Sequence, residues 1–167
     1  MIGEVRAVAR ADLGLTLRIV GLLVGLNAAL HFVKVRRVVG WLTPTTTPPT
    51  VEISEVRRVV RHVDGVMRRA PILFFGHCLL RSLTLYYFCT RLGYPVRIAF
   101  GIRRNPDGSV DAHGWLVLDD RPFMERGAPE VDYLQVWHLP EPPPASPKAR
   151  RGGSEPLSRP SWDHGNG

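Results

Sequence analysis

Cysteine is nearly absent from this 167-residue chain: only Cys78 and Cys89 occur. They fall in a stretch that reads as one helix, where roughly 1.5 Å of rise per residue separates them by about 16 Å. A disulfide needs Cα atoms within about 7 Å, so both thiols stay free, as suits a reducing cytoplasm. Lysine is equally scarce, with Lys34 and Lys148 alone. The basic excess, 22 Lys and Arg against 15 Asp and Glu for a formal charge of +7, is therefore almost all arginine. Such a surface suits an acidic peptide, an anionic membrane face or nucleic acid. No nucleic-acid module and no interleaving of aromatic with basic residues accompanies it, which sets nucleic acid aside. His31, His62, His77, His138 and His164 show no zinc-ligand spacing. Internal repeats are missing, and the chain is too short for two domains yet long enough for one with a sizeable core.

An uninterrupted apolar run is lacking too. Leu13–Val33 comes nearest, but it contains Thr16, Arg18, Asn27 and His31 together with Gly14, Gly21 and Gly25. A spanning helix asks for about 20 apolar residues almost free of charge. Nor does Val33-Lys34-Val35-Arg36 supply the small-residue cleavage site that follows a secretory signal. The segment is expected to be a buried or partner-facing helix of a cytoplasmic protein. Peripheral membrane contact is the alternative, with Arg18 snorkelling and Lys34, Arg36 and Arg37 on the cytoplasmic flank.

What is present divides the chain into an apolar helical segment over 1–42, a Pro/Thr linker over 43–50, a core over 51–140 and a Pro/Gly-rich tail over 141–167. The first helix is expected from about Ala11 to Val39, with a break, closing at Gly40-Trp41-Leu42. Thr43 to Pro49 is too rich in proline for helix and reads as an extended connector. From Val51 to Arg69, Val56, Val59, Val60, Val63, Val66 and Met67 recur at intervals of three and four, with Arg57, Arg58, Arg61 and Arg68 on the other face. That is an amphipathic helix, capped by Ser54 or Thr50. Pro71–Gly76 is a short apolar approach to the next helix, which starts at His77 or Cys78. Gly93 stops it and Tyr94-Pro95 forbids its continuation. Val96–Ile102 and Val110–Leu118 read as strands, joined by a type I turn at Asn105-Pro106-Asp107-Gly108. Asp119-Asp120 is a tight turn into a short third strand, Arg121–Glu125. Helices followed by an antiparallel meander make an α+β fold. The tail lacks core-forming residues and is expected to be disordered.

Cys78 is the first candidate for chemistry. A thiolate, not a thiol, is the nucleophile, and the free N–H groups and partial positive charge of a helix N-terminus stabilise it. The same N–H groups are placed to line an oxyanion hole. Cys89 sits on nearly the same helical face but deep in the apolar part, and reads as core. His113 is the matching base. Alternation puts His113, Trp115 and Val117 on one face of their strand, and a histidine facing the start of the helix takes the thiol proton and returns it to a leaving amine. For the group that orients the imidazole, Asp119 lies six residues away, roughly 20 Å along a strand. Pairing across the Asp119-Asp120 turn brings Glu125 opposite His113, provided a bulge or local twist turns its side chain. Glu125 is thus the candidate acid, with Asp119 as the alternative.

The motifs Cys78-Leu79-Leu80-Arg81-Ser82-Leu83, Arg91-Leu92-Gly93-Tyr94-Pro95-Val96, Gly101-Ile102-Arg103 and Ala112-His113-Gly114-Trp115-Leu116-Val117-Leu118-Asp119 resemble the lasso-peptide biosynthesis B protein family. The resemblance covers about residues 51–139. It departs from the family pattern at Gly114, where alanine is common, at Asp120, where glycine is common, and at Glu125, where aspartate is expected. The resemblance implies a papain/transglutaminase-like fold and a cysteine peptidase that removes the leader from a ribosomally made precursor peptide. Cys78 would be its nucleophile and His113 its base. It also implies a separate leader-recognition protein, an ATP-dependent lasso cyclase acting afterwards, and no cofactor. Two other readings of the same residues remain: amide transfer or hydrolysis on another acyl substrate, and a non-enzymatic membrane-associated scaffold in which Cys78 is unreactive.

Overall fold

The computed structural model describes residues 2–46, 48–69, 77–125, 127 and 129–141. The apolar approach Pro71–Gly76 and the tail beyond Glu141 lie outside them. Helix α1 spans Ile2–Phe32 and α2 spans Val35–Leu42. The break expected in the first helical stretch falls at Val33-Lys34, where Lys34 is extended with ψ 139°. Amphipathic α3 covers Ile53–Arg69 and buries Val56, Val59, Val63 and Met67. Neither expected cap acts on it: the Thr50 hydroxyl donates to Gly93 O at 3.0 Å instead, and Ser54 lies inside the helix.

Helix α4 spans His77–Arg91. Gly93 ends it at φ 84°, with Tyr94 N–H bonding Cys89 O at 3.0 Å and Gly93 N–H bonding Thr90 O at 3.3 Å. That double closure needs a left-handed residue at its corner. Glycine is required there on a second count, because a Cβ would stand 2.5 Å from the Thr50 backbone.

Strands β1 (Arg97–Arg104), β2 (Val110–Leu118) and β3 (Arg121–Pro122) follow, then a short helix α5 (Pro129–Asp132) and β4 (Leu134–Leu139). The sheet is antiparallel with order β3-β2-β1-β4. Two expectations are corrected here. The third strand is only two residues long, because Met124 adopts φ 56° and turns the chain away from β2. A fourth strand exists, pairing with β1 across about thirty intervening residues, a contact that no local pattern announces. The Asp119-Asp120 turn has φ 50° and 60°, the pair of left-handed residues that a two-residue hairpin favours.

The helices cover one face of the sheet. Ile19, Leu23 and Leu26 of α1, Val38, Val39 and Leu42 of α2, the valines of α3, and Leu80, Leu83, Leu85, Tyr86 and Cys89 of α4 form one core with Ile98, Leu116 and Leu139. Helices α1, from Ile19 onward, and α2 are therefore part of this core. A smaller cluster of Ala99, Trp115 and Val117, with Tyr133 against it, fills the opposite face. Alternation along β2 explains the split: Leu116 points to the helices, while Trp115 and Val117 point away.

Candidate active site

Helix α4 is fastened to the open edge of β2 by two buried contacts one turn beyond Cys78. The Ser82 hydroxyl donates to Gly114 O at 2.7 Å. Arg81 spreads its guanidinium between α3 and the segment after β3: Nε bonds Asp64 Oδ1 of α3 at 2.9 Å, Nη1 bonds both oxygens of Glu125 at 2.8 Å, and Nη2 donates to Met124 O at 3.0 Å. The Arg81, Asp64 and Glu125 side chains keep only 16%, 11% and 8% of their surface in solvent. Burial disfavours the Arg81 charge, yet Glu125 and Asp64 more than offset this and raise its pKa. Burial pushes the Glu125 carboxyl up, while Arg81 and the Leu116 N–H pull it back. The net shift is upward, burial outweighing these contacts.

Beside this network opens a cleft of about 540 Å³ lined by Asp64, Met67, Arg68, His77, Arg81, His113 and Glu125. His77 and Cys78 are the first two residues of α4, so the cysteine sits in the turn where backbone N–H groups are unpaired. Its thiol is half-buried. His113 lies on β2 opposite Gly101 of β1, stacked on Tyr133 at 5.2 Å and on Trp115 at 5.9 Å between ring centroids. Burial foremost, and then the charges of Arg81 and Arg103, lower its pKa, which keeps the imidazole neutral and able to accept a proton at pH 7. Gly101 must stay small for this stack, since a Cβ there would meet Trp115 and Tyr133 at 2.8 Å.

The structure brings His77, His113 and Glu125 to one cleft, with Cys78 adjoining His77. It does not join Cys78 to His113: among the described residues no hydrogen bond links them, and Cys78 does not itself line the cleft. Glu125 gives its oxygens to Arg81 and to the Leu116 N–H at 3.4 Å, and none to His113. Asp119 sits exposed in the turn at the far end of β2, outside the cleft. No group of three or more His, Cys, Asp and Glu among the described residues is arranged to hold a metal.

Sequence reasoning overlooked Arg81, Asp64 and Tyr133. A charged residue among Leu79, Leu80 and Leu83 was a usable sign of a buried ion network. Tyr133 carried no such sign, because it reaches the site only through the β1–β4 pairing.

The sheet face carrying Leu116, Ile98 and Leu139 continues past the helices. The next rows, Gly114–Phe100–Trp137 and Ala112–Ile102–Leu134, are progressively exposed and form an apolar shelf.

A family model described as the transglutaminase-like superfamily matches residues 22–138, from the middle of α1 through most of β4. No curated protein and no solved structure matches the chain.

Proposed function

The chain belongs to the transglutaminase-like superfamily, whose members are typically cysteine-dependent enzymes, and from that premise we propose that it is a cysteine peptidase that removes the leader of a ribosomally made precursor during lasso-peptide maturation. The observation that carries this reading is the placement of Cys78 in the first turn of α4, beside the cleft that holds His113. The motifs around Cys78 and His113, in that order, support the lasso-peptide branch, and the exposed apolar rows of the sheet suit an extended peptide.

In the proposed reaction His113 takes the Cys78 proton and the sulfur attacks the scissile carbonyl carbon. A C–S bond forms, and the carbonyl electron pair moves to an oxygen facing the N–H groups of the α4 turn. Collapse breaks the C–N bond, and the imidazolium returns its proton to the departing amine, which is the new N-terminus of the core peptide. Water, deprotonated by His113, then attacks the thioester; the leader leaves as a carboxylic acid and Cys78 is restored. Catalytic hydrogen bonds are often long in an empty site and tighten only with substrate present. Glu125 acts here as a positioning residue, holding α4 to β2 through Arg81, and Asp119 has no part. A separate leader-recognition protein presents the precursor, and an ATP-dependent cyclase uses the freed amine. The reaction takes place in the cytoplasm, where the thiol stays reduced.

The test incubates a precursor peptide encoded beside this chain with the purified protein and the companion recognition protein. Two fragments are expected, and none with Cys78→Ala. Unimpaired cleavage by Cys78→Ala would sink the proposal. The family match accommodates acyl transfer equally well, so a product carrying an added amine in place of water would reassign the chain to that chemistry.

A further inference from the structure

Helix α1 is apolar on nearly every side, and its Asp12–Phe32 portion is long and apolar enough to cross a membrane. A helix of that kind is normally buried all round. Here only one stripe is: Ile19, Leu23 and Leu26 sit in the core. Leu13, Leu17, Val20 and Val24, spaced by four, three and four, fall within about 60° of one another at roughly 100° per residue, and they are 59%, 62%, 37% and 56% exposed. Phe32 and Trp41 are also exposed.

The charge around this stripe is predominantly positive, its acidic neighbours being Asp12, held by Arg58, and Glu141, paired with Arg36 at 3.2 Å. From Leu13 to Val51 there is no Asp or Glu, while Arg18, Lys34, Arg36 and Arg37 contribute four positive charges. Lys34, Arg36 and Arg37 gather with Phe32 at the α1–α2 corner, and Arg37 and Trp41 share a face of α2 at i, i+4. A solvated face carries mixed charges, whereas apolar residues flanked by cations and an exposed tryptophan match a lipid headgroup boundary. The sequence beyond Glu141 has little to cover the stripe with, being mostly Pro, Gly, Ser and charged residues. Nor can α1 leave to span a bilayer, since its other stripe is in the core and Arg58 of α3 holds Asp12 at 3.0 Å.

We propose that the outer stripe of α1, with Trp41 and the Lys34–Arg37 corner, docks the folded protein on an anionic phospholipid surface, α1 lying in the plane of the membrane. This surface is separate from the cleft, and the proposal stands whether or not the chain is a leader peptidase.

The test is co-sedimentation of the full chain with vesicles of phosphatidylcholine alone and of phosphatidylcholine mixed with phosphatidylglycerol. Binding is expected to the mixed vesicles and to weaken as salt rises. The double variant Leu17→Glu/Val24→Glu should lose it, and Arg36→Glu/Arg37→Glu should weaken it by at least about tenfold, both with unchanged thermal unfolding because these side chains are exposed. Sedimentation of the wild type no greater than without vesicles would overturn the proposal, as would equal binding by the folded Leu17→Glu/Val24→Glu variant. If instead the wild type is a dimer by light scattering that Leu17→Glu/Val24→Glu makes monomeric, and vesicles are ignored, the stripe is a contact between copies and the membrane assignment falls.

Discussion

Two thiols and one imidazole differ sharply in what their surroundings allow. Cys89 is fully buried, and burial pushes its thiol up to about 12, with Arg81 pulling only weakly the other way. Cys78 is half-buried. Native protein treated with iodoacetamide should therefore gain one label, at Cys78, and Cys78→Ala should gain none until it is unfolded; intact-mass spectrometry reads both. For His113 the folded pKa lies below the ordinary 6.5, through burial first and then Arg81 and Arg103. An NMR titration should find its midpoint below 6.5, and Arg103→Gln should move that midpoint upward. The sign for stability follows: the folded state disfavours the proton, so His113's contribution is complete above about pH 6.5 and is lost as pH falls from there to its depressed value. Denaturation midpoints measured across that window should drop for wild type and drop less for His113→Gln. Cys78 and His113 could be picked out from sequence because a thiol at a helix start and a histidine within a strand are unusual residue types at identifiable places. Tyr133, which stacks on His113, could not, because it reaches the site only through the β1–β4 pairing, and Glu125 was legible as a nearby acid but not as the partner of Arg81.

At the scale of elements, α4 is the organising piece, and Arg81 and Ser82 are its fastenings. Arg81→Met leaves the buried Glu125 carboxylate without its cation, so a loss of about 3–5 kcal/mol is expected in urea denaturation. Ser82→Ala leaves the buried Gly114 carbonyl without its donor, at about 1–3 kcal/mol. A different effect is expected at Gly101 on β1. Gly101→Ala presses a methyl group into Trp115 and Tyr133, at about 1–3 kcal/mol for overpacking, and it disturbs the ring stack that carries His113. In the proposed peptidase the cleavage rate should fall while Cys78 alkylates and buried Cys89 stays unlabelled, a pattern that simple unfolding would not produce. The helices and the first two strands were legible because their periodicities and stops are local: valines at three and four in α3, Gly93 after α4, Asn-Pro-Asp-Gly between β1 and β2. The shortening of β3 was not, because the left-handed Met124 has no preference of its own for that conformation and is held there by Arg81 bonding its carbonyl.

For the whole molecule the central question is whether α1 is an appendage or a structural member. Leu23 of α1 and Leu83 of α4 are both fully buried in one cluster. Leu23→Ala should therefore cost about as much as Leu83→Ala, roughly 2–5 kcal/mol, within one cooperative transition. A separate early transition for α1 would contradict this. The same helix leaves its other stripe in solvent, so one element serves both the core and an outer surface, and substitutions on the two stripes should separate stability from surface binding.

The sequence alone determined the α+β class, the order of a nucleophile-bearing helix before a histidine-bearing strand, and the free state of both thiols. Each of these is set by residue type and by spacing over a few turns or strand residues, where local sterics and backbone hydrogen bonding decide. Tertiary structure alone decided that Glu125 serves Arg81 rather than His113, that His113 stacks on Tyr133, and that only half of an apolar helix is covered. These outcomes depend on which distant surfaces meet when the core closes, and on a buried guanidinium drawing every carboxylate within reach, because an unpaired charge there would cost more than the fold can bear.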